Sequence, residues 1–196
     1  FYFYKLSYVC DSNYLNCVRY LNILFFTFGI YFTYLLAKKF SNKNYSKIIF
    51  ILLLVSPFNI YTAYFLPESM YYFLIWLTFY ITFSLKVNKQ YYFVIGFTLG
   101  LSSMIKPHAI FFVPVFIIYF TLLNKSLTKS FSNNSLFILS FFFIKLILSL
   151  FANLDFTIFG NYYSHAIRSY TDINFSELLK IINFSFINLY GIISFI

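Results

Sequence analysis

Seven apolar stretches alternate with short polar breaks along the chain, at residues 19–37, 48–66, 67–85, 91–105, 109–123, 135–152 and 181–196. A helix that crosses a bilayer needs about 20 mostly apolar residues. Repeated stretches near that length predict an all-α fold, a polytopic transmembrane helical bundle of about six full spans and a truncated seventh. The chain reads as a single transmembrane domain over residues 1–196, with residues 153–180 as an outer loop. The fourth and fifth stretches are short and are expected to form a tight pair meeting at Lys106-Pro107-His108, near the membrane surface.

Composition sharpens this reading. Hydrophobic residues make up 61% of the chain, charged residues 10%, and the mean hydropathy is +0.79; a soluble domain carries roughly a quarter charged residues. The aromatic share of 27% goes with abundant Ile, Asn and Lys, the residues an AT-rich genome favours, so part of it reflects codon usage. The chain opens on Phe1-Tyr2-Phe3 and closes inside an apolar run, so it reads as a piece of a longer protein, and no charged n-region with a cleavage site opens it.

Charge placement gives the expected topology. Lys38, Lys39, Lys43, Lys47, Lys86, Lys89, Lys125 and Lys129 lie in the breaks after the first, third and fifth stretches. Asp11, Glu68, Asp155, Asp172 and Glu177, all the acids of the chain, lie in the other breaks. Basic residues in short loops mark the cytoplasmic side. The N-terminal stretch, Pro67-Glu68, Lys106 to His108 and residues 153–180 are therefore expected to face outward, into a periplasm, extracellular space or lumen. The net charge of +9 is then mostly a topology signal. A nucleic-acid partner is not expected, because the basic residues lie in three separate loops and not on one soluble face.

Candidate chemistry gathers at that outer face. Glu68 follows Pro67 and reads either as an ordinary first-turn acid or as a carboxylate at the mouth of a cavity. Lys106 ends the fourth stretch in an outer turn, against the positive-inside bias, which suits a phosphate ligand. Arg19 opens the first stretch with a planar donor fork matched to phosphate. His108 is a weaker candidate binding residue beside Lys106. Lys145 lies mid-span in Phe143-Ile144-Lys145-Leu146 and is costly unless it faces the bundle interior. His165 and Arg168 lie three apart in the outer loop. Gly96 and Gly100 form a stripe that lets two helices approach closely, with no chemistry of its own. Cys10 and Cys17 complete no metal-ligand spacing and read as isolated thiols; Glu68 could hold a sugar hydroxyl or a metal, but one glutamate does not define a metal site, and no cofactor is assigned. Phosphate-cradling glycine loops and the common hydrolase motifs do not occur.

The run Leu54-Val55-Ser56-Pro57-Phe58-Asn59-Ile60-Tyr61, followed by Leu66-Pro67-Glu68-Ser69, resembles the third-span region of multi-spanning glycosyltransferases of the GT-C fold. The stretch from Gly96 through Gly100 to Lys106-Pro107 is similar to their Gly-x-x-x-Gly…Lys-Pro/Gly segment, and Arg19-Tyr20-Leu21-Asn22 to an Arg-x-x-Asn that opens an earlier span. The resemblance covers residues 19–120 and points to the protein mannosyltransferase, aminoarabinose transferase and rhizobial lipopolysaccharide sugar transferase group. It implies a GT-C-like bundle and inverting transfer of a sugar from a polyprenyl-phosphate carrier, at the outer side of a bacterial inner membrane. The partners it implies are membrane lipid, the lipid-linked donor as co-substrate, and a lipid, glycan or protein acceptor. Glu68, Lys106, Arg19 and His108 would bind substrate. The family's catalytic acid, in a loop after the first span, has no counterpart here: Asp11 lies too close to Arg19 and reads as a helix cap. The base and the true first span are expected upstream.

The alternatives are a transporter or lipid flippase subunit, which would show duplicated halves and helices broken near the midplane, and a non-catalytic membrane subunit. Single cysteines placed at positions 43 and 89 are expected to react with membrane-permeant but not impermeant thiol reagents in intact cells. Labelling of either from outside would overturn the topology.

Overall fold

The computed structural model describes residues 14–63, 67–124 and 126–152. Among them are six α-helices and no strand: α1 (Tyr14–Phe40), α2 (Lys43–Leu54), α3 (Glu68–Ser84), α4 (Lys89–Ile105), α5 (Phe112–Leu123) and α6 (Leu127–Ala152). Two 3-10 turns, Pro57–Thr62 and Pro107–Phe111, precede α3 and α5. The fold is all-α, as the apolar pattern predicts. Tyr14–Phe40 and Leu127–Leu150 are long and apolar enough to cross a membrane, and Pro107–Leu123 is a shorter apolar helix. The seventh stretch and the outer loop lie outside the described residues.

Helix ends follow local chemistry. Asn42 and Asn88 cap α2 and α4, their side-chain oxygens accepting from Tyr45 N at 3.1 Å and Tyr91 N at 2.8 Å. Such caps satisfy donors that a helix start leaves open. Lys106 is extended, with φ −134° and ψ 118°, because Pro107 disfavours the helical region for the residue before it. That ends α4.

Several boundaries differ from the apolar pattern. Residues 48–66 do not make one helix. α2 stops at Leu54 and a 3-10 turn begins at Pro57, where proline lacks the donor needed to continue. α1 extends to both sides of residues 19–37, and α6 starts at Leu127, eight residues before the sixth apolar stretch. The start of α6 is polar, but the helix carries its Ser and Asn residues at the level of the lysine-rich loops.

The packing is up-and-down. α3 and α4 run antiparallel: Tyr91 donates to Thr82 O at 2.8 Å, Thr78 to Thr98 at 2.9 Å, and their far ends meet at Glu68 and Lys106. α1 runs parallel to α3, with Gly29 against Tyr72 and Phe73 and Lys39 donating to the Phe83 carbonyl. α6 runs parallel to α4, with Gly96 against Phe137 and Ser140 and Gly100 against Phe141 and Ile144. α5 closes the core through Tyr92–Phe120 and Phe120–Phe137 ring contacts at 4.9 and 5.3 Å. α2 packs on α1 and buries only Ser46.

Charge is divided between the two ends of this bundle. Lys38, Lys39, Lys43, Lys47, Lys86, Lys89 and Lys129 are exposed at one end. Arg19, Glu68, Lys106 and His108 are at the other, and Glu68 is the sole acid among the described residues.

The glycine contacts yield a graded expectation. A Cβ at Gly96 would meet the Phe137 carbonyl, which is backbone, as well as Ser140 Oγ, whereas one at Gly29 would meet mainly the Tyr72 ring, 2.5 Å away. A ring can rotate aside more easily than a helix backbone can. Gly96→Ala is expected to cost about 1–3 kcal/mol, as overpacking does, and Gly29→Ala less, measured by unfolding in detergent. Equal losses would show that the α4–α6 contact is not the tighter one.

Candidate functional site

The polar end of the bundle is built by two helix termini. Glu68 begins α3 directly after Pro67, and Lys106 follows α4 directly before Pro107. Antiparallel packing brings these termini together, and Lys106 Nζ lies 2.7 Å from Glu68 Oε1. The Lys106 side chain keeps 33% of its exposure and that of Glu68 23%. Lys106 Nζ also stands 6.0 Å from the centroid of the Tyr71 ring, one turn into α3, at the outer limit of cation–π attraction.

Glu68 is only half engaged. Its Oε2 is buried and meets no hydrogen-bond donor among the described residues, and the same holds for Ser69 Oγ. Leaving a buried polar atom unsatisfied costs about 1–3 kcal/mol. Both atoms lie in the first turn of α3, shielded from solvent.

Arg19 lies at the same end of the bundle but is not joined to this pair. It is exposed, and its Nε donates to Ala63 O at 3.2 Å while Nη1 donates to Asn16 Oδ1 at 3.4 Å. The bond to Ala63 ties α1 to the segment leading into α3, and the bond to Asn16 lies within α1. His108 is exposed in the 3-10 turn that follows Lys106. Lys145 is buried on α6 with its Nζ 5.6 Å from the Phe141 ring centroid. Its neighbour Ile144 packs at Gly100, which puts Lys145 roughly one turn below Lys106. His165 and Arg168 lie outside the described residues, as does Asp11.

Ser69 stands in the Leu66-Pro67-Glu68-Ser69 motif with no role of its own, and neither Tyr71 nor the pairing of Glu68 with Lys106 has a signal in the local sequence. The pairing was accessible in principle. Two consecutive antiparallel helices of 17 residues each must bring the start of one beside the end of the other.

The cysteines require a correction. Cys17 is disulfide-bonded and not a free thiol; Cys10, the other cysteine of the sequence, lies outside the described residues. Spacing alone could not distinguish two thiols from a bridge. Among the described residues, no three His, Cys, Asp or Glu side chains gather as a metal cluster would require.

A family model described as dolichyl-phosphate-mannose-protein mannosyltransferase matches residues 1–152. This is a wider match than the 19–120 of the motif resemblance. No curated protein and no solved structure matches the chain significantly.

The partial exposure of the Glu68–Lys106 pair limits its contribution to stability. A double-mutant cycle with Glu68→Gln and Lys106→Met, read by unfolding in detergent, is expected to give a coupling below about 1 kcal/mol, as for partly solvated ion pairs. A coupling of several kcal/mol would make the pair a structural clamp.

Proposed function

Because the chain belongs to the dolichyl-phosphate-mannose-protein mannosyltransferase family, a family of membrane glycosyltransferases, we propose that it moves a sugar from a polyprenyl-phosphate carrier to a lipid, glycan or protein acceptor. The transfer takes place at the outer side of a bacterial plasma membrane. The observation that carries this reading is the Glu68–Lys106 pair at the bundle end away from the exposed lysines. A polyprenyl phosphate holds its anion at headgroup level, where this end of the bundle would lie.

The proposed division of labour follows from the side chains. Lys106 Nζ faces the phosphate of the donor. Arg19 supplies a second cation at the same level, and His108 a further polar contact. Glu68, partly exposed and joined to Lys106 through Oε1, accepts from a hydroxyl of the sugar. In the transfer, the bond from the anomeric carbon to the phosphate oxygen breaks and the phosphate leaves with the electron pair. An acceptor oxygen bonds to that carbon from the opposite face and loses its proton to a base, a role assigned to none of the described residues. Charge grows on the departing phosphate, so an ammonium already in place stabilises the transition state more than the ground state.

The outward placement has two supports. Lysine-rich loops favour the cytoplasm, and a disulfide at Cys17 suits an oxidising compartment.

Lys106→Met is expected to raise the apparent KM for a polyprenyl-phosphate sugar and to lower kcat, for a combined loss of about tenfold or more in kcat/KM. Lys106→Arg is expected to keep part of both, since the charge stays while the donor geometry changes. A properly inserted Lys106→Met protein with unchanged donor dependence and rate would remove Lys106 from the site and leave Arg19 as the leading phosphate ligand.

A further inference from the structure

We infer that Glu68 acts on the donor site as a built-in competitor for Lys106, blunting the preference of the site for a doubly charged phosphate over a singly charged one. The inference rests on the reading of Lys106 as the cation that meets the lipid phosphate, and it adds a role in product release. The donor is a phosphodiester with one negative charge. The product left on the lipid after transfer is a monoester, which carries about 1.5 to 2 negative charges near neutral pH. A lone ammonium favours the product and retains it. An ammonium paired with a carboxylate favours it far less.

The distances set the size of this effect. Lys106 Nζ is 2.7 Å from Glu68 Oε1. A phosphate oxygen in a charge-assisted hydrogen bond to the same ammonium sits about 2.8 Å from it. Whatever its direction of approach, that oxygen is therefore within about 5.5 Å of the carboxylate oxygen. The ammonium has three N–H donors, so it can hold a phosphate without releasing Glu68, and both anions share it. Each extra negative charge on the phosphate is repelled across this gap. At an effective dielectric near 20 the repulsion corresponds to roughly two orders of magnitude in binding per unit charge. The partial exposure of both side chains, 33% and 23%, reduces this to about tenfold.

The geometry also shows why the carboxylate stays in place. Glu68 is the first residue of α3, directly after Pro67, and Oε2 is buried, so the side chain has little freedom to swing away as a phosphate arrives. Glu68 acts here through Lys106 and is a positioning residue in that sense.

The test compares inhibition by a polyprenyl phosphate monoester with inhibition by its methyl phosphodiester, using the purified full-length protein in detergent. In the wild type the two are expected to inhibit within about threefold of each other. In Glu68→Gln the diester is expected to bind about tenfold more tightly and the monoester about 30- to 100-fold, a shift of about three- to tenfold in their ratio, and kcat is expected to fall as release of the lipid phosphate slows. Glu68→Asp keeps the charge near Lys106 and is expected to keep the wild-type ratio of monoester to diester inhibition, whatever its turnover. Unchanged or weaker monoester inhibition in Glu68→Gln overturns the inference, and so does a ratio in Glu68→Asp like that of Glu68→Gln. If Glu68→Gln does not insert, the wild-type ratio decides alone: a monoester more than tenfold tighter than the diester is the contrary result. Lys106→Met separates the two levels of the argument. If it alters neither donor KM nor monoester inhibition, the reading of Lys106 itself fails. If it weakens both while Glu68→Gln changes nothing, only the competitor role fails.

Discussion

Two 17-residue helices joined by a short turn and packed antiparallel begin and end at the same levels, and this bundle is organised around that pairing of α3 with α4. Thr78–Thr98 and Tyr91–Thr82 hydrogen bonds fix their register along the middle and at one end. Inside a membrane such interhelical bonds contribute modestly, about 0.6 kcal/mol on average; Thr78 and Thr98 also bond to carbonyls of their own helices, so the Tyr91 hydroxyl is the group that a neighbouring register would part from its carbonyl. With the register set, the outer faces of the hairpin receive α1 on one side and α6 on the other. Each arrives parallel to its neighbour, and glycines Gly29, Gly96 and Gly100 let the backbones close in.

Because the register is fixed by apolar and hydroxyl contacts, the charges at its end need not hold the bundle together. The Glu68–Lys106 pair keeps a quarter to a third of its exposure, the regime in which ion pairs contribute little to folding. An ion pair free of structural duty can be exposed to a third charge without endangering the fold. The aromatic core of Tyr92, Phe116, Phe120 and Phe137 stabilises the same bundle nearer the lysine-rich end and through the middle. Packing and polar chemistry are thus separated along the helix axes.

Much of this was legible in the sequence, for reasons that differ by residue. The all-α bundle follows from long apolar stretches, and the start of α3 and the end of α4 from Pro67 and Pro107, whose effect on the backbone is local. Other features depend on contacts between segments distant in sequence. The stop of α2 at Leu54 is local too, but the apolar run continues past Ser56-Pro57 and hides it. The polar start of α6 has no apolar signature, and it is helical because Asn133 and Asn134 bond to Asn124 and Thr121 of the preceding segment at 3.0 Å each. The bond at Cys17 leaves no trace in spacing. Glu68 and Lys106 were each visible as candidates at one face. Their contact depends on the antiparallel register of α3 and α4, which the neighbours of each residue do not display.

The prolines complete the argument for why this contact is so placed. Pro67 precedes Glu68 and Pro107 follows Lys106, so both charges sit at points where regular helix cannot be extended without loss. A slip of α3 against α4 by one turn would separate the charges by about 5.4 Å. It would also break the Thr78–Thr98 bond and move the Tyr91 hydroxyl off the Thr82 carbonyl. The apolar seam therefore carries the cost of any displacement at the charged end. This lets a weak ion pair be held in a defined place: its geometry is enforced from below by hydroxyl bonds and aromatic packing, while its own energy stays low enough to leave the ammonium open to another anion.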